Sequence, residues 1–327
     1  MINQRKMKAK ARAPSNIAFI KYWGKKNEKL RIPENSSISM NLSKAFTETS
    51  VEFDHKLKRD LVSIDGKYVD GLEKERITTH LDRIRKLAKV DFRAKVVSKN
   101  NFPKGAGIAS SASGFAALTR AAAKALGLNL SEKELSILAR LGSGSACRSI
   151  PDGFVEWVAG SKNTNSYALS LYEPEYWDIC DVIVVVGKKA KKVGSAEGHA
   201  KASTSPFYKT RVFSIDKKVR DIKIALKNKD FEQFGSILEA EAINMHTVMM
   251  TSKPPIFYWM PKTLEIMQMI IEGRNKGIKA YFTIDAGPNV HIICRSQTVA
   301  AVEKELSKIK GIKNIIVNRA ADGAKII

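Results

Sequence analysis

The sequence predicts an α+β protein built in two halves, and three observations carry that prediction. A glycine- and serine-rich stretch, PKGAGIASSASG at residues 103–114, joins an alternating strand segment to an alanine-rich helix. From Asp181 onward the pattern runs β, α, α, β, α, β, which lays helices on one face of a mostly antiparallel sheet. With 327 residues the chain can bury one large core or two ordinary ones, and we divide it at 1–180 and 181–327.

Taken in order, the segment ARAPSNIAFIKYWG begins an extended piece at Pro14 and Ser15, with Ile17, Phe19 and Tyr22 as buried bulk. Lys21 stands inside this apolar run. It reads either as a lysine snorkelling at a strand edge or, with Lys25 and Lys26, as part of an anion pocket. After a loop and alternating strands, LVSIDGKYVDG predicts a hairpin turning at Asp65-Gly66. Helical spacing over 73–87 places Ile77, Leu81, Ile84 and Leu87 on one face. Ala94 to Lys99 reads as a strand, and Phe115 to Leu126 as a helix closed by Gly127. Ser131 and Glu134 form a capping box for the helix that ends at Gly142. In the second half, DVIVVVG is a central strand, and residues 188–206 form a long polar connection with the character of a lid. Helices follow over 211–226, 231–246 and 262–275. Strands flank Asp285, residues 299–308 are helical, and 313–317 is a last strand.

Composition bounds the function. A 44% hydrophobic and 27% charged chain is that of a globular protein, and no apolar run reaches a membrane span of about 20 residues. The N-terminus is basic but lacks the apolar core of a secretory signal. Cys147, Cys180 and Cys294 are widely spaced, which supports neither a disulfide framework nor a zinc cluster and points to a reducing cytoplasm. The net charge of +23 raises the possibility of nucleic-acid binding, but the lysines are dispersed, without a basic tail or an aromatic-interleaved patch.

Three segments carry chemistry. In the 103–114 loop, Gly105 and Gly107 allow close backbone approach, while Ser110, Ser111 and Ser113 add hydroxyls at a helix start. Two glycines alone describe a tight turn with a serine cap; the hydroxyls favour a phosphate cradle. No Gly-Lys-Ser/Thr follows, so it is not a Walker loop. Residues 142–154, GSGSACRSIPDGF, combine Ser143, Gly144 and Ser145 with Arg148, whose planar guanidinium suits a carboxylate or phosphate. Cys147 there reads as a small buried thiol rather than a nucleophile. Asp285, between apolar strands, is either a turn cap or a partly desolvated base.

Together these segments resemble the GHMP kinase superfamily and, within it, the mevalonate diphosphate decarboxylases. The matches are NIAFIKYWGKK at 16–26, NSSIS at 35–39, NNFPKGAGIASSASG at 100–114, GSGSACRS at 142–149, MHTVM at 245–249, PPIFY at 254–258 and DAGPN at 285–289. They cover nearly the whole chain in family order. The resemblance implies a ribosomal-protein-S5-like N-terminal domain, a ferredoxin-like C-terminal domain and an active site between them. It implies ATP and Mg²⁺ as cofactors and mevalonate 5-diphosphate as substrate, phosphorylated on its tertiary alcohol and then decarboxylated to isopentenyl diphosphate.

By that resemblance Asp285 orients or deprotonates the hydroxyl, Lys21 keeps Asp285 ionised, and Arg148 fixes the substrate carboxylate. Tyr22, Trp23, Gly24 and Lys25 join Ser143, Gly144, Ser145, Ala146 and Cys147 around the substrate. Arg76 and Thr204 match further binding positions, and Ser195 is a lid-side hydroxyl. Gly105, Gly107, Ser110 and Ser111 belong with the ATP phosphates; the resemblance assigns no protein ligand to the metal. The chain departs from several relatives in carrying Ala196 and His199 after Ser195. Related enzymes decarboxylate mevalonate 5-phosphate, or the 3,5-bisphosphate without ATP, and these stand as alternatives. A basic nucleic-acid-binding protein is the alternative of another class. A homodimer is also implied.

Overall fold

The computed structural model describes residues 7–102, 110–187, 193–312 and 314–327. Along the chain come β1 (Lys8–Ile20), β2 (Lys25–Asn27), β3 (Ile32–Pro33), β4 (Ser37–Asp54), β5 (Leu61–Ile64), β6 (Lys67–Tyr68), α1 (Gly71–Ala88) and β7 (Arg93–Asn100). There follow α2 (Ser110–Ala125), α3 (Glu132–Gly142), a 3-10 turn at Gly144–Ser149, β8 (Phe154–Val158), β9 (Tyr167–Tyr172) and β10 (Ile179–Val184). The remainder is α4 (Ser195–Lys201), α5 (Tyr208–Asn228), α6 (Phe231–Met250), α7 (Pro261–Asn275), β11 (Ala280–Thr283), β12 (Val290–Arg295), α8 (Val299–Ser307), β13 (Ile315–Arg319) and β14 (Lys325–Ile326).

The first sheet is ordered β14-β1-β4-β7-β5-β6, with β8 and β9 branching from β4. β4 is its hub, pairing with β1, β7 and β8 along different parts of its length. Helix α2 lies across β1 and β4. Its small residues, Ala116, Ala117, Ala121 and Ala122, are fully buried and let the helix approach closely, and Ser113 meets Thr47 at 2.7 Å. The β1–β4 register slips between Pro14 and Asn16 and again between Ala18 and Ile20. Proline lacks the N–H that a ladder needs, and such irregularities turn side chains out of the alternating pattern. Here they precede Lys21. Strand β1 begins at Lys8 rather than Pro14, because its exposed basic start pairs with Thr49 to Glu52 of β4.

The second sheet is antiparallel in the order β11-β12-β10-β13, with β10 inside it. Side chains alternate across it. Val182, Val184 and Ile292 pack with Ile266 and Ile270 of α7 and with Val302 and Leu306 of α8. Ile183 and Ile293 face the other way, into a core shared with Ile215 and Ile222 of α5, Phe234 and Leu238 of α6, and Ile17, Phe19, Ile38 and Met40 of the first half. The one-sided helical layer expected from sequence is therefore corrected: helices cover both faces. The chain does not end on β13 either. β14 returns to the first sheet, pairing Lys325 and Ile326 with Arg12 and Ala11 of β1.

The polar connection at 188–206 is corrected over its described part, which folds as α4 and a 3-10 turn rather than as an open loop. The Asp65-Gly66 hairpin forms as expected, both residues having positive φ, at 52° and 79°. So does the capping box of α3, with Ser131 accepting from the Glu134 N–H and Glu134 from that of Ser131.

Candidate active site

Where β1 ends, Lys21 is 1% exposed and its Nζ donates to Asp285 Oδ1 at 2.6 Å. Burial holds the lysine below its ordinary range although Asp285 pulls it upward. Burial would likewise push the aspartate up. Lys21, His291 and Arg148 outweigh that and hold it below the usual carboxylate range. The pair joins the end of β1 to the β11–β12 connection, and Asp285 keeps a side-chain exposure of 27% toward the space in front of it.

That space is a cavity of about 350 Å³, lined by Lys21, Tyr22, Trp23, Lys25, Arg76, Ser110, Ser111, Ser143, Gly144, Ser145, Arg148, Ser195 and Asp285 among others. A side cavity of about 230 Å³ adjoins it, sharing Arg76, Ser110 and Ser111 and continuing along Thr47, Ile77, Val96 and Phe115. The two helix-start serines stand at the junction.

Arg148, from the 3-10 turn, is 3% exposed. Its Nε and Nη2 donate to Asn16 Oδ1 at 3.2 and 3.0 Å, and its Nη1 donates to Ser37 Oγ at 2.8 Å. Asn16 is itself fixed by donating to Ser149 Oγ and to the Ser145 carbonyl. A guanidinium has five N–H donors, so the two that remain can meet a carboxylate in the cavity. Burial keeps this arginine below its ordinary range, and among the described residues it forms no ion pair.

The lower wall is aromatic. Tyr22 OH and Trp23 Nε1 are buried without a hydrogen-bond partner among the described residues, and both side chains line the cavity. His199 of α4 stacks on both rings, with centroids 4.1 and 4.5 Å away, and its Nδ1 accepts the Gly24 N–H at 3.0 Å. That bond places the proton on Nε2. Burial and the nearby Lys25 and Arg31 charges hold His199 well below the ordinary histidine range, so the ring is neutral.

Four expected contact residues do not line the cavity. Ala146 and Cys147 lie behind it, fully buried, and burial pushes the Cys147 thiol up to about 12, so it is no nucleophile. Gly24 spends its N–H on His199 and has φ 96°; a Cβ there would sit 2.0 Å from the Tyr208 hydroxyl. Thr204 is exposed, its hydroxyl donating to the Lys201 carbonyl and accepting from the Lys253 N–H. Lys26 is exposed as well. Gly105 and Gly107 lie outside the described residues.

Asn16, Arg31 and Met245 are site residues to which the sequence reading gave no role. Asn16 opens the segment NIAFIKYWGKK, but nothing in the sequence shows that its amide carries Arg148. Arg31 reaches the cavity from the β2–β3 turn and gives no local signal.

A buried lysine–aspartate pair, a serine-edged helix start and a buried arginine thus surround one cavity, an arrangement suited to an anionic substrate. Residues 13–168 match the family model for the diphosphomevalonate decarboxylase-like N-terminal domain, and residues 181–324 match the mevalonate 5-diphosphate decarboxylase C-terminal domain. The chain is 36% identical to the diphosphomevalonate decarboxylase of Debaryomyces hansenii, over 92% of this chain and 84% of that one. It superposes on mevalonate diphosphate decarboxylase from Staphylococcus aureus with a TM-score of 0.94, at 41% identity over 98% of both chains. MDDEF in complex with MVAPP, AMPPCP and magnesium matches with a TM-score of 0.94 at 38% identity, and the mevalonate diphosphate decarboxylase from Enterococcus faecalis with a TM-score of 0.93 at 37%, each over 99% of both chains. The chain belongs to the diphosphomevalonate decarboxylase family, whose members are carboxy-lyases.

Proposed function

We propose that the cavity receives mevalonate 5-diphosphate and that the chain converts it, with ATP, to isopentenyl diphosphate, ADP, phosphate and CO₂. The observation that carries this is the Lys21–Asp285 pair at 2.6 Å, facing the same cavity as the two unspent Arg148 donors. Asp285, kept ionised by Lys21, orients the tertiary hydroxyl and takes its proton as the phosphoryl group arrives. Arg148 holds the substrate carboxylate, so that the C–C bond to be broken lies in line with the phosphate that leaves. As the C–O bond breaks, positive charge grows on that carbon, and the electron pair released with CO₂ closes the alkene. Tyr22 OH and Lys25 are placed for the diphosphate.

The side cavity suits the nucleoside, which puts the transferred phosphate at Ser110 and Ser111. The Ser110 and Ser111 hydroxyls at that junction, with the Glu73 carboxylate that lines the side cavity, are the kind of oxygen donor that would hold magnesium, and the ion would neutralise phosphate charge during transfer. Among the described residues no helix is long and apolar enough to cross a membrane. Three buried free cysteines support a cytoplasmic site. A few surface lysines are paired along their own helices, as in Lys201–Glu197 and Lys217–Asp221, which supports a small-molecule role over a nucleic-acid one. Exposed Phe213 and Ile224 on α5 support a homodimer. The two separate sheets support a division between the halves, but 180/181 falls inside β10 and β14 returns to the first sheet.

The test is to incubate the protein with mevalonate 5-diphosphate, 5-phosphate or 3,5-bisphosphate, with and without ATP and Mg²⁺, following CO₂ and ADP. The 5-diphosphate with ATP should give both products in equal amounts. CO₂ from the bisphosphate alone, without ATP, would sink the assignment.

A further inference from the structure

At one end of the main cavity three guanidinium groups converge on the last carbonyls of α3. Arg31 Nε donates to the Leu141 carbonyl at 3.1 Å, Arg83 Nη1 to the same oxygen at 3.3 Å, and Arg76 Nη2 to that of Gly142 at 3.5 Å. Cations at a helix C-terminus are ordinary, and Arg83 alone would satisfy Leu141. Arg31 is the unusual member. It spends only Nε, and among the described residues neither terminal nitrogen has a hydrogen-bond or carboxylate partner. The nearest acid of its turn, Glu28, is taken by Lys25 at 2.6 and 2.9 Å. The Arg31 charge also bears on its neighbours: after burial, it is what holds Arg76 and Arg83 below the usual arginine range.

The turn that carries Arg31 is built to present it. Buried Arg140 of α3 donates through Nε to the Leu30 carbonyl at 3.1 Å, and the Arg31 N–H donates to the Glu28 carbonyl at 3.2 Å. The backbone pays for this arrangement, because Arg31 has φ 51°, a left-handed conformation that favours glycine or asparagine. A strained, mutually repelling pair of arginines, both lining one cavity, is the pattern that a multiply charged anion relieves. Arg31 lines the main cavity and not the side cavity, which separates it from the proposed nucleoside.

We propose that Arg31, with Arg76, clamps the terminal phosphate of the substrate diphosphate, and that Arg31 thereby sets preference for the 5-diphosphate over the 5-monophosphate. The proposal rests on the functional reading above only for the identity of the substrate. It is tested with Arg31→Gln, which keeps part of the side chain, and Arg31→Asn, which suits left-handed backbone. Inorganic pyrophosphate should bind the parent protein, and both variants should bind it about tenfold or more weakly, with the thermal midpoint of Arg31→Asn unchanged. In turnover, KM for the 5-diphosphate should rise by a similar factor while KM for ATP holds. The ratio of kcat/KM for diphosphate over monophosphate should fall, which a purely structural role would not produce. Pyrophosphate affinity within twofold of the parent in both variants, or equal losses on the two substrates, overturns the proposal. If the parent turns over neither substrate, the functional reading fails, and the pyrophosphate titration alone still decides on Arg31.

Discussion

Lys21 and Asp285 are 264 positions apart, and each is explained by the other. A lysine within an apolar strand reads equally well as a snorkelling side chain, and an aspartate beside glycine and proline as a turn cap. Only the fold, by ending β1 against the β11–β12 connection, turns two ordinary residues into a desolvated pair. Asp285→Asn removes the proposed proton acceptor while leaving the side-chain volume. Its kcat should fall by about 10² to 10⁴, with Lys21 losing the charge that keeps it protonated in a buried place. Steady-state kinetics beside a thermal melt checks this, and near-normal turnover with a native melt would remove Asp285 from the chemistry. Because Asp285 is held below the usual carboxylate range, its protonation should not shape the pH–rate profile above about pH 5. The supporting residues were less legible. Asn16 carries Arg148, but an amide in a strand gives no sign of what it will hold.

At the scale of elements, legibility followed how local the cause was. The α3 capping box and the Asp65-Gly66 turn are set by residues two or three positions apart, and both were readable. Helix α4 was not. It has seven residues, and its inward side consists of little more than Gly198 and His199, whose partners Tyr22 and Trp23 come from the far end of the chain. The strand β14 is two residues long and exists because β1 offers it an edge. Helix α4 is seated by close approach: a Cβ on Gly198 would lie 2.5 Å from the Trp23 ring. Gly198→Ala should therefore lift the helix, break the His199–Gly24 bond and weaken substrate binding. We expect a several-fold rise in substrate KM and faster amide exchange over residues 195–201, the global melt shifting little. Unchanged exchange there would mean that α4 is held by something other than this contact.

The whole molecule is tied across its middle. One core takes side chains from β1 and β4, from α5 and α6, and from β10 and β12. Above it, fully buried Arg211 of α5 binds Glu241 of α6, the Asn35 side chain and the Lys21 carbonyl, so the Lys21 backbone hangs on the second half. A shared core, and a buried ion pair of the second half that hydrogen-bonds Asn35 and Lys21 of the first, leave neither half an independent way to unfold, and one cooperative transition should be seen. Acid should reveal it. His80, on the buried face of α1, and His246, on α6, are both buried and both lowered to about 3, in each case first by burial. Nearby cations add to this: Arg83 and Arg31 for His80, Lys21 for His246. Each is neutral in the fold, while in the unfolded chain it takes a proton near pH 6.5. Protons therefore favour the unfolded state, and the stability these two contribute is complete above about pH 6.5 and is lost as pH falls toward 3. Between pH 6.5 and 5 the loss should reach about 3 kcal/mol, and His199, also held well below the ordinary histidine range, acts in the same direction. Carboxylates that are held low act only below that window. Urea unfolding at pH 7, 6 and 5, followed by tryptophan fluorescence and by far-ultraviolet dichroism, measures this. The midpoint should fall steadily, with both probes coinciding at every pH. A midpoint that stays constant to pH 5 would mean that these histidines are not buried as neutral groups, and two separated transitions would mean that the halves are not joined as the shared core requires.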